Sequence, residues 1–315
     1  MSPVRIKSFF IATLLLLTTT AGRSQTNITL AVDYWDFLYN NTPPGTYGGY
    51  AGTPHPDFQN YNGTVAHGLV QSILTAGLPI WKDNFGDSTF QSLTGPTQFS
   101  QWYQTTPGVN AYVPGVITLT NVGGNLFQFS STEFFPLDGQ GFNSAGYQVD
   151  RSCNPSDSVL HNFCFTTHIQ YSMLLTDNTQ SVSVTGQDDI WVFVNGKLAI
   201  DLGGIHGAIS GSWIASPPNL SILGLFLGET VSVDIFQANR HTSCSDFSLT
   251  INSANITPGL QPAVTITNAG PQVQLAFAGI LQQSTDLIHW QDVNPQPSSP
   301  WTFTPTNTLF FQARR

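Results

Sequence analysis

Asp188 and Asp189 stand side by side immediately before the apolar run Ile190–Val194, and Asn195-Gly196, Asp201, Gly203-Gly204 and His206 follow. Two acids, with Asn195, Asp201 and loop carbonyls close in sequence, are the oxygen donors a hard cation such as calcium takes, six to eight of them at about 2.3–2.6 Å. Successive strand residues point to opposite faces, so both aspartates serve one ion only if the backbone between them is unusual. A cis peptide, at about 3–4 kcal/mol, would achieve this. With open positions on the ion, vicinal hydroxyls of a sugar complete its shell, and nearby aromatic rings stack on the sugar's apolar side. The metal-ligand candidates are therefore Asp188, Asp189, Asn195 and Asp201. The ligand-contact candidates are Trp191, His206, Arg240 and His241.

Each of these residues also has a plain structural reading. An Asp-Asp pair before a strand is often a solvated loop, and Asn-Gly is a strong hairpin signal. His206 after two glycines reads as a hydrogen-bonded loop residue. Arg240-His241 is either a functional pair or a charge anchor for the Asp188-Asp189 loop. The chain has only nine Lys and Arg, which favours the anchor.

The elements that must position these residues are strands. Alternation of apolar and polar residues runs through Phe127–Phe129, Ile169–Met173, Val182–Val184, Val231–Ile235 and Phe247–Ile251. Ile190–Val194 is wholly apolar, as suits a strand buried on both faces. Helical spacing is confined to His67–Thr75 and a short turn near Gln98–Tyr103. Residues 39–62, rich in Gly, Pro, Asn and Tyr, read as a long ordered loop. Thr257-Pro258-Gly259 reads as a linker, followed by short strands around 264–267, 273–277 and 309–312. The expected fold is all-β: a jelly-roll-like antiparallel β-sandwich with long loops and one or two short helices, over residues 25–256. A small C-terminal β segment would occupy 257–315.

Charged residues make up only 9% of the 315, against roughly 25% in ordinary soluble domains, so Ser, Thr, Asn, Gln and Gly must solvate the surface. The net charge of −9 offers no basic footprint for nucleic acid. Basic Arg5 and Lys7, the apolar run Phe9–Leu17 and the small residues Ala21, Gly22 and Ser24 form a signal peptide over residues 1–24. That run is short for a membrane span, so export without a transmembrane segment in the mature chain is expected, secreted or at the cell surface. An exported protein can oxidise thiols. Of Cys153, Cys164 and Cys244, the short Cys153–Cys164 loop is the preferred disulfide, with Cys164–Cys244 as the alternative. No Gly-x-Ser-x-Gly elbow, phosphate loop or His-Glu-x-x-His occurs.

Several ordered motifs carry a resemblance. They are His55-Pro56-Asp57-Phe58, Gly68-Leu69-Val70, Phe99–Tyr103 with Pro107–Asn110, Phe134–Gly139, His161-Asn162-Phe163, Asp188–Leu198 continuing into Asp201–His206, and Arg240-His241-Thr242. Together they resemble the fibro-slime domain family, a branch of the protective-antigen-type and GLEYA-type β-sandwich domains, over roughly residues 35–253. The resemblance implies an extracellular sandwich. In its sugar-binding relatives an adjacent Asp pair, a nearby Asn and loop carbonyls hold calcium, a pattern that maps onto Asp188, Asp189 and Asn195. This chain departs from the pattern at Gln187, where the family shows a third acid, and at Asn239, where it shows Glu. The tail, from Leu281–Leu287 through Phe310–Arg314, is similar to C-terminal β-modules on exported proteins of verrucomicrobial-type bacteria. The expected function is non-enzymatic, calcium-dependent binding of carbohydrate or a cell-surface polymer. The alternative is a self-associating slime-matrix component with a stabilising calcium ion, and a carbohydrate-active hydrolase stands third.

Overall fold

The computed structural model describes residues 27–38, 54–58, 64–82, 93–142, 150–151, 160–240, 244–259, 263–269, 272–286, 290–305 and 308–314. The segment read as a signal peptide, most of residues 39–62 read as a long loop, Cys153 and His241 lie outside them.

The protein is all-β, built on one large antiparallel sheet. Its strands are β1 (Asn27–Phe37), β2 (Asn110–Gly123), β3 (Leu126–Ser131), β4 (Phe165–Leu174), β5 (Ser181–Gly186), β6 (Ile190–Val194), β7 (Lys197–Leu202), β8 (Ile209–Ile214), β9 (Thr230–Asn239), β10 (Phe247–Asn252) and β11 (Ile256–Pro258). The spatial order is β7-β6-β9-β4-β1-β2-β3-β10-β5-β8, with β11 on β4. The sheet curls until β7 and β8 lie against each other, so its two halves enclose a single core. That core takes alternate residues from both halves: Val192 and Val194 of β6, Val233 and Ile235 of β9, Leu249 and Ile251 of β10.

A third layer covers the outer face of the β6-β9-β4-β1 half. Leu69, Val70, Phe99, Trp102 and Tyr103 pack there on Trp35, Trp191, Phe193 and Phe236. This explains the unbroken apolar run in β6: Val192 faces the sandwich core while Trp191 and Phe193 face the added layer, and all five residues are buried. The outer face of the other half stays open, and there the strands alternate cleanly, as in β10, where Phe247, Leu249 and Ile251 are buried and Ser248, Thr250 and Asn252 are not.

Asn195 and Gly196 both have positive φ (50° and 73°), as a two-residue type I′ hairpin between β6 and β7 requires. Residues 67–75, expected to be helical, instead run as turns with isolated bridges, Val70 to Trp81 and Ile73 to Lys197. Leu69 and Val70 serve the covering layer and Leu74 packs against it, whereas Ile73 is exposed. The α-helices among the described residues are α1 (Pro96–Phe99) and α2 (Pro217–Leu223). No helix among the described residues is long and apolar enough to cross a membrane.

Two expectations are corrected. Cys164 is a free, buried thiol and Cys244 is the disulfide-bonded cysteine, so neither Cys153–Cys164 nor Cys164–Cys244 is the bridge. Thr257 and Pro258, read as linker, pair with Ser172 and Tyr171 as part of β11, and the Gly259 N–H reaches the Gln170 carbonyl at 3.3 Å. Beyond them, two three-stranded sheets form around Leu275, Leu281 and Val293.

Candidate functional site

The Asp pair sits where β5 crosses into β6. Asp188 has φ 57°, a left-handed conformation that Asp tolerates better than most residues. The cis peptides among the described residues precede Pro295 and Pro300, so the Asp188-Asp189 bond is trans. The unusual backbone that the sequence demanded is thus a positive φ, and it turns both carboxylates toward one residue.

That residue is Arg240. Its backbone N–H donates to Asp188 Oδ2 at 2.8 Å, and its Nε donates to Asp189 Oδ2 at 2.6 Å. Asp189 Oδ1 accepts the Gly204 N–H at 2.7 Å, and the Asp189 carbonyl accepts the Ala238 N–H at 2.9 Å. Arg240 has no exposed surface, and its guanidinium carbon lies 5.1 Å from the Trp102 ring centroid. Trp102 in turn donates to Asp57 Oδ2 at 3.0 Å, while Asp57 Oδ1 accepts the Thr94 N–H. A chain of charge and aromatic contacts thereby ties the covering layer to the end of β9. Burial pushes the Asp188 carboxyl up to about 7, against the pull of the Arg240 N–H and charge. It also pushes Asp189 up, opposed chiefly by the Arg240 guanidinium.

The other candidates fall in different places. Asp201 lies beside Trp191 across the β6-β7 ladder. Its Oδ1 accepts the Trp191 Nε1–H at 2.9 Å and the Gly203 N–H at 3.2 Å, and its Oδ2 accepts the Gly68 N–H at 2.6 Å. Gly203 must lack a side chain, since a Cβ there would stand 2.5 Å from the Ala66 carbonyl oxygen. Asn195 occupies the hairpin tip, separated from Asp189 by the whole of β6, on the order of 20 Å of strand. Trp191 and Arg240 are fully buried and cannot meet a ligand at the surface. His206 is half-buried, with Nδ1 2.8 Å from the Gly207 carbonyl and Nε2 3.1 Å from the Leu202 carbonyl. Arg240 is therefore the charge anchor rather than a ligand contact.

The donor set does not fit a calcium ion. Both Asp189 oxygens and both Asp201 oxygens already accept N–H groups, Asn195 is remote, and a guanidinium holds the place a divalent ion would need. Gln187 Oε1 and Asn239 Oδ1 are buried without a hydrogen-bond partner, but neutral amides bring no charge to offset stripping water from a divalent ion. No group of three or more His, Cys, Asp or Glu among the described residues is arranged to hold a metal.

The sequence reading missed other acids that hold loops, the buried Asp36 and the partly exposed Asp138. Asp36 Oδ2 accepts the Phe142 N–H at 2.7 Å, and its Oδ1 accepts the Asn162 Nδ2 at 2.7 Å. Asp138 bonds His161 Nδ1 at 2.5 Å and the Asn162 N–H at 2.9 Å. Asp138, His161 and Asn162 lie in the quoted motifs, which was a signal that they act together. Asp36, inside an apolar strand, gave only the hint of an acid where none is expected.

No family model matches the chain. It is 37% identical over 199 residues to Protein psiD of Dictyostelium discoideum, a match covering 61% of this chain and 37% of that protein. It is 34% identical over 227 residues to Protein psiQ of the same organism, covering 70% of this chain and 21% of that protein. The chain thus spans little more than a third, or less, of the length of these curated relatives. Among solved structures, the PA14 sugar-binding domain from an RTX adhesin aligns at 13% identity and TM-score 0.25, over 56% of this chain and 74% of that one. The PA14 domain of the MpAFP antifreeze protein aligns at 13% and 0.24, over 46% and 77%. By sequence, this chain is similar to part of the much longer psi proteins.

Proposed function

We propose that the chain is a non-catalytic binding module of an exported protein, and that its ligand is a carbohydrate or cell-surface polymer. The observation that carries the non-catalytic reading is the shared commitment of Asp188 and Asp189 to Arg240. Glycoside hydrolysis needs two carboxylates flanking a bond at a cleft, roughly 5–10 Å apart. Here the acids are buried and engaged in holding loops. The resemblance to an extracellular sandwich family with sugar-binding members supports the ligand class, as does the sparsely charged, hydroxyl- and amide-rich composition.

The reading carries no calcium requirement. A glycan array probed with and without a chelator tests it: a carbohydrate signal that survives chelation is expected. Release of reducing sugar from a bound polysaccharide would overturn it, as would silence on every glycan. Titration calorimetry with calcium chloride should give only heats of dilution.

A second reading, a self-associating matrix component, is favoured by one feature. Around α2 and the turn after it, Ile222 is 78% and Phe226 68% exposed, with Leu227 beside them. Silence on the array together with concentration-dependent sedimentation, lost in Phe226→Ser, would select that reading.

A further inference from the structure

The open face of the sandwich has a regular chemistry that the Asp-pair end lacks. Across six strands the ladder registers place Ser212, Ser183, Thr250, Gln128, Thr120 and Asn27 in one unbroken row. Two residues along, a second row runs through Ser210, Thr185, Ser248 and Ser130, with the Thr118–Thr29 pair on the neighbouring strands. At a strand spacing of about 4.8 Å the first row is on the order of 24 Å long, and the rows stand about 6.8 Å apart. Every side chain in both rows is a hydroxyl or an amide, and all are exposed or half-exposed.

Several of these hydroxyls are already ordered. Ser183 pairs with Ser212 at 2.8 Å, Thr185 with Ser210 at 2.8 Å, Ser130 with Ser248 at 2.8 Å and Thr29 with Thr118 at 3.2 Å. Each pair uses one O–H internally and keeps one O–H and several lone pairs for an outside partner. The result is a fixed two-dimensional array of alternating donors and acceptors. Solvent faces of sheets are ordinarily kept soluble by charged side chains. This chain carries 27 charged residues and places none in these rows.

We propose that this hydroxyl face is the ligand-contacting surface, and that its occupant is an uncharged polysaccharide. The inference rests on the carbohydrate reading above and moves the site from the Asp-pair end to the flank. Charge complementarity selects the occupant: polyanions and polycations find no counter-charge, whereas a neutral polyhydroxylated chain matches both the donors and the acceptors. No aromatic ring lies in the rows, so each sugar unit gains little on its own. Affinity must come from many weak contacts along an extended polymer, and short oligosaccharides should bind poorly.

Retention of the full chain on microcrystalline cellulose, curdlan and alginate beads tests this. Wild type should be held on at least one neutral glucan, not on alginate, and cellobiose should fail to elute it. The double variant Gln128→Glu/Ser212→Asp puts two charges into the first row at exposed positions and should lower retention by about tenfold or more with an unchanged melting temperature. Gln71→Glu, which adds negative charge to the covering layer on the opposite side, should retain wild-type binding. Glucan binding untouched by the double variant would overturn the face assignment and leave the carbohydrate reading standing. Alginate retention equal to glucan retention would overturn the charge argument. Self-association in sedimentation that the double variant abolishes would make a second copy the occupant and overturn the proposal. Retention on no polysaccharide would remove the inference and the carbohydrate reading together.

Discussion

Asp188 is a carboxylic acid kept out of water beside a second acid, and its folded-state pKa near 7 lies well above the unfolded value of about 3.9. Between those values the folded protein holds a proton the unfolded chain has lost. Stability therefore falls as pH rises from about 4 to 7, by up to about 4 kcal/mol. Asp188→Asn imitates the protonated acid and keeps an oxygen for the Arg240 N–H. The variant should be more stable than wild type in urea at pH 8, and the gap should close near pH 4. A variant less stable at pH 8 would mean that the ionised acid is needed. Cys164 gives a second residue-level expectation. Burial raises its thiol pKa and shuts out reagents, so native protein should take up no thiol reagent and unfolded, unreduced protein should take up one equivalent. Adjacency and residue type made the Asp pair and the Arg240 anchor legible in the sequence. The disulfide was misread: the short Cys153–Cys164 spacing pointed to a bridge, but spacing does not report that Cys164 is buried as a free thiol.

At the scale of elements, the sequence was most informative where one local pattern had one physical cause. Ile190–Val194 could be apolar throughout only if both faces were covered, and both are. Asn195-Gly196 specified its turn through the positive φ that both residues accept. Residues 67–75 misled because apolar residues at three- and four-residue spacing also arise when an irregular segment lies on a sheet. α2 was missed although its signals were present: Ser216 ahead of two prolines, and Gly224 in the left-handed conformation after the last turn. The double burial of β6 has a measurable consequence. Trp191 packs against Phe99 and Trp102 and donates to Asp201, so Trp191→Phe should cost about 1–3 kcal/mol through the lost hydrogen bond to a charged acid, which keeps the Gly68 and Gly203 N–H donors. Trp191→Ala should cost about 3–5 kcal/mol. Equal losses in chemical denaturation would show that the Asp201 bond, rather than the volume of the ring, dominates.

Over the whole molecule, the boundary between the main sheet and the C-terminal sheets depends on β11, which local composition disguised as a linker. Thr-Pro-Gly is a turn signal, yet Pro258 is admissible here because β11 lies off the main strand path, where a missing N–H interrupts no central ladder. Ile256 is 9% exposed and belongs to the sandwich core. A chain ended at Gly259 keeps this strand and should unfold at the same midpoint as the main transition of the full chain. A chain ended at Asn255 loses Ile256 from the core and the strand that covers Tyr171, and it should be less stable by about 1.5–3 kcal/mol. The C-terminal sheets have their own core in Leu275, Leu281 and Val293, so calorimetry of the full chain should show a second, smaller transition that the Gly259 truncation removes. If that truncation instead lowers the main midpoint as far as the Asn255 truncation does, then β11 is not the last element the sandwich needs, and the C-terminal sheets contribute to its stability.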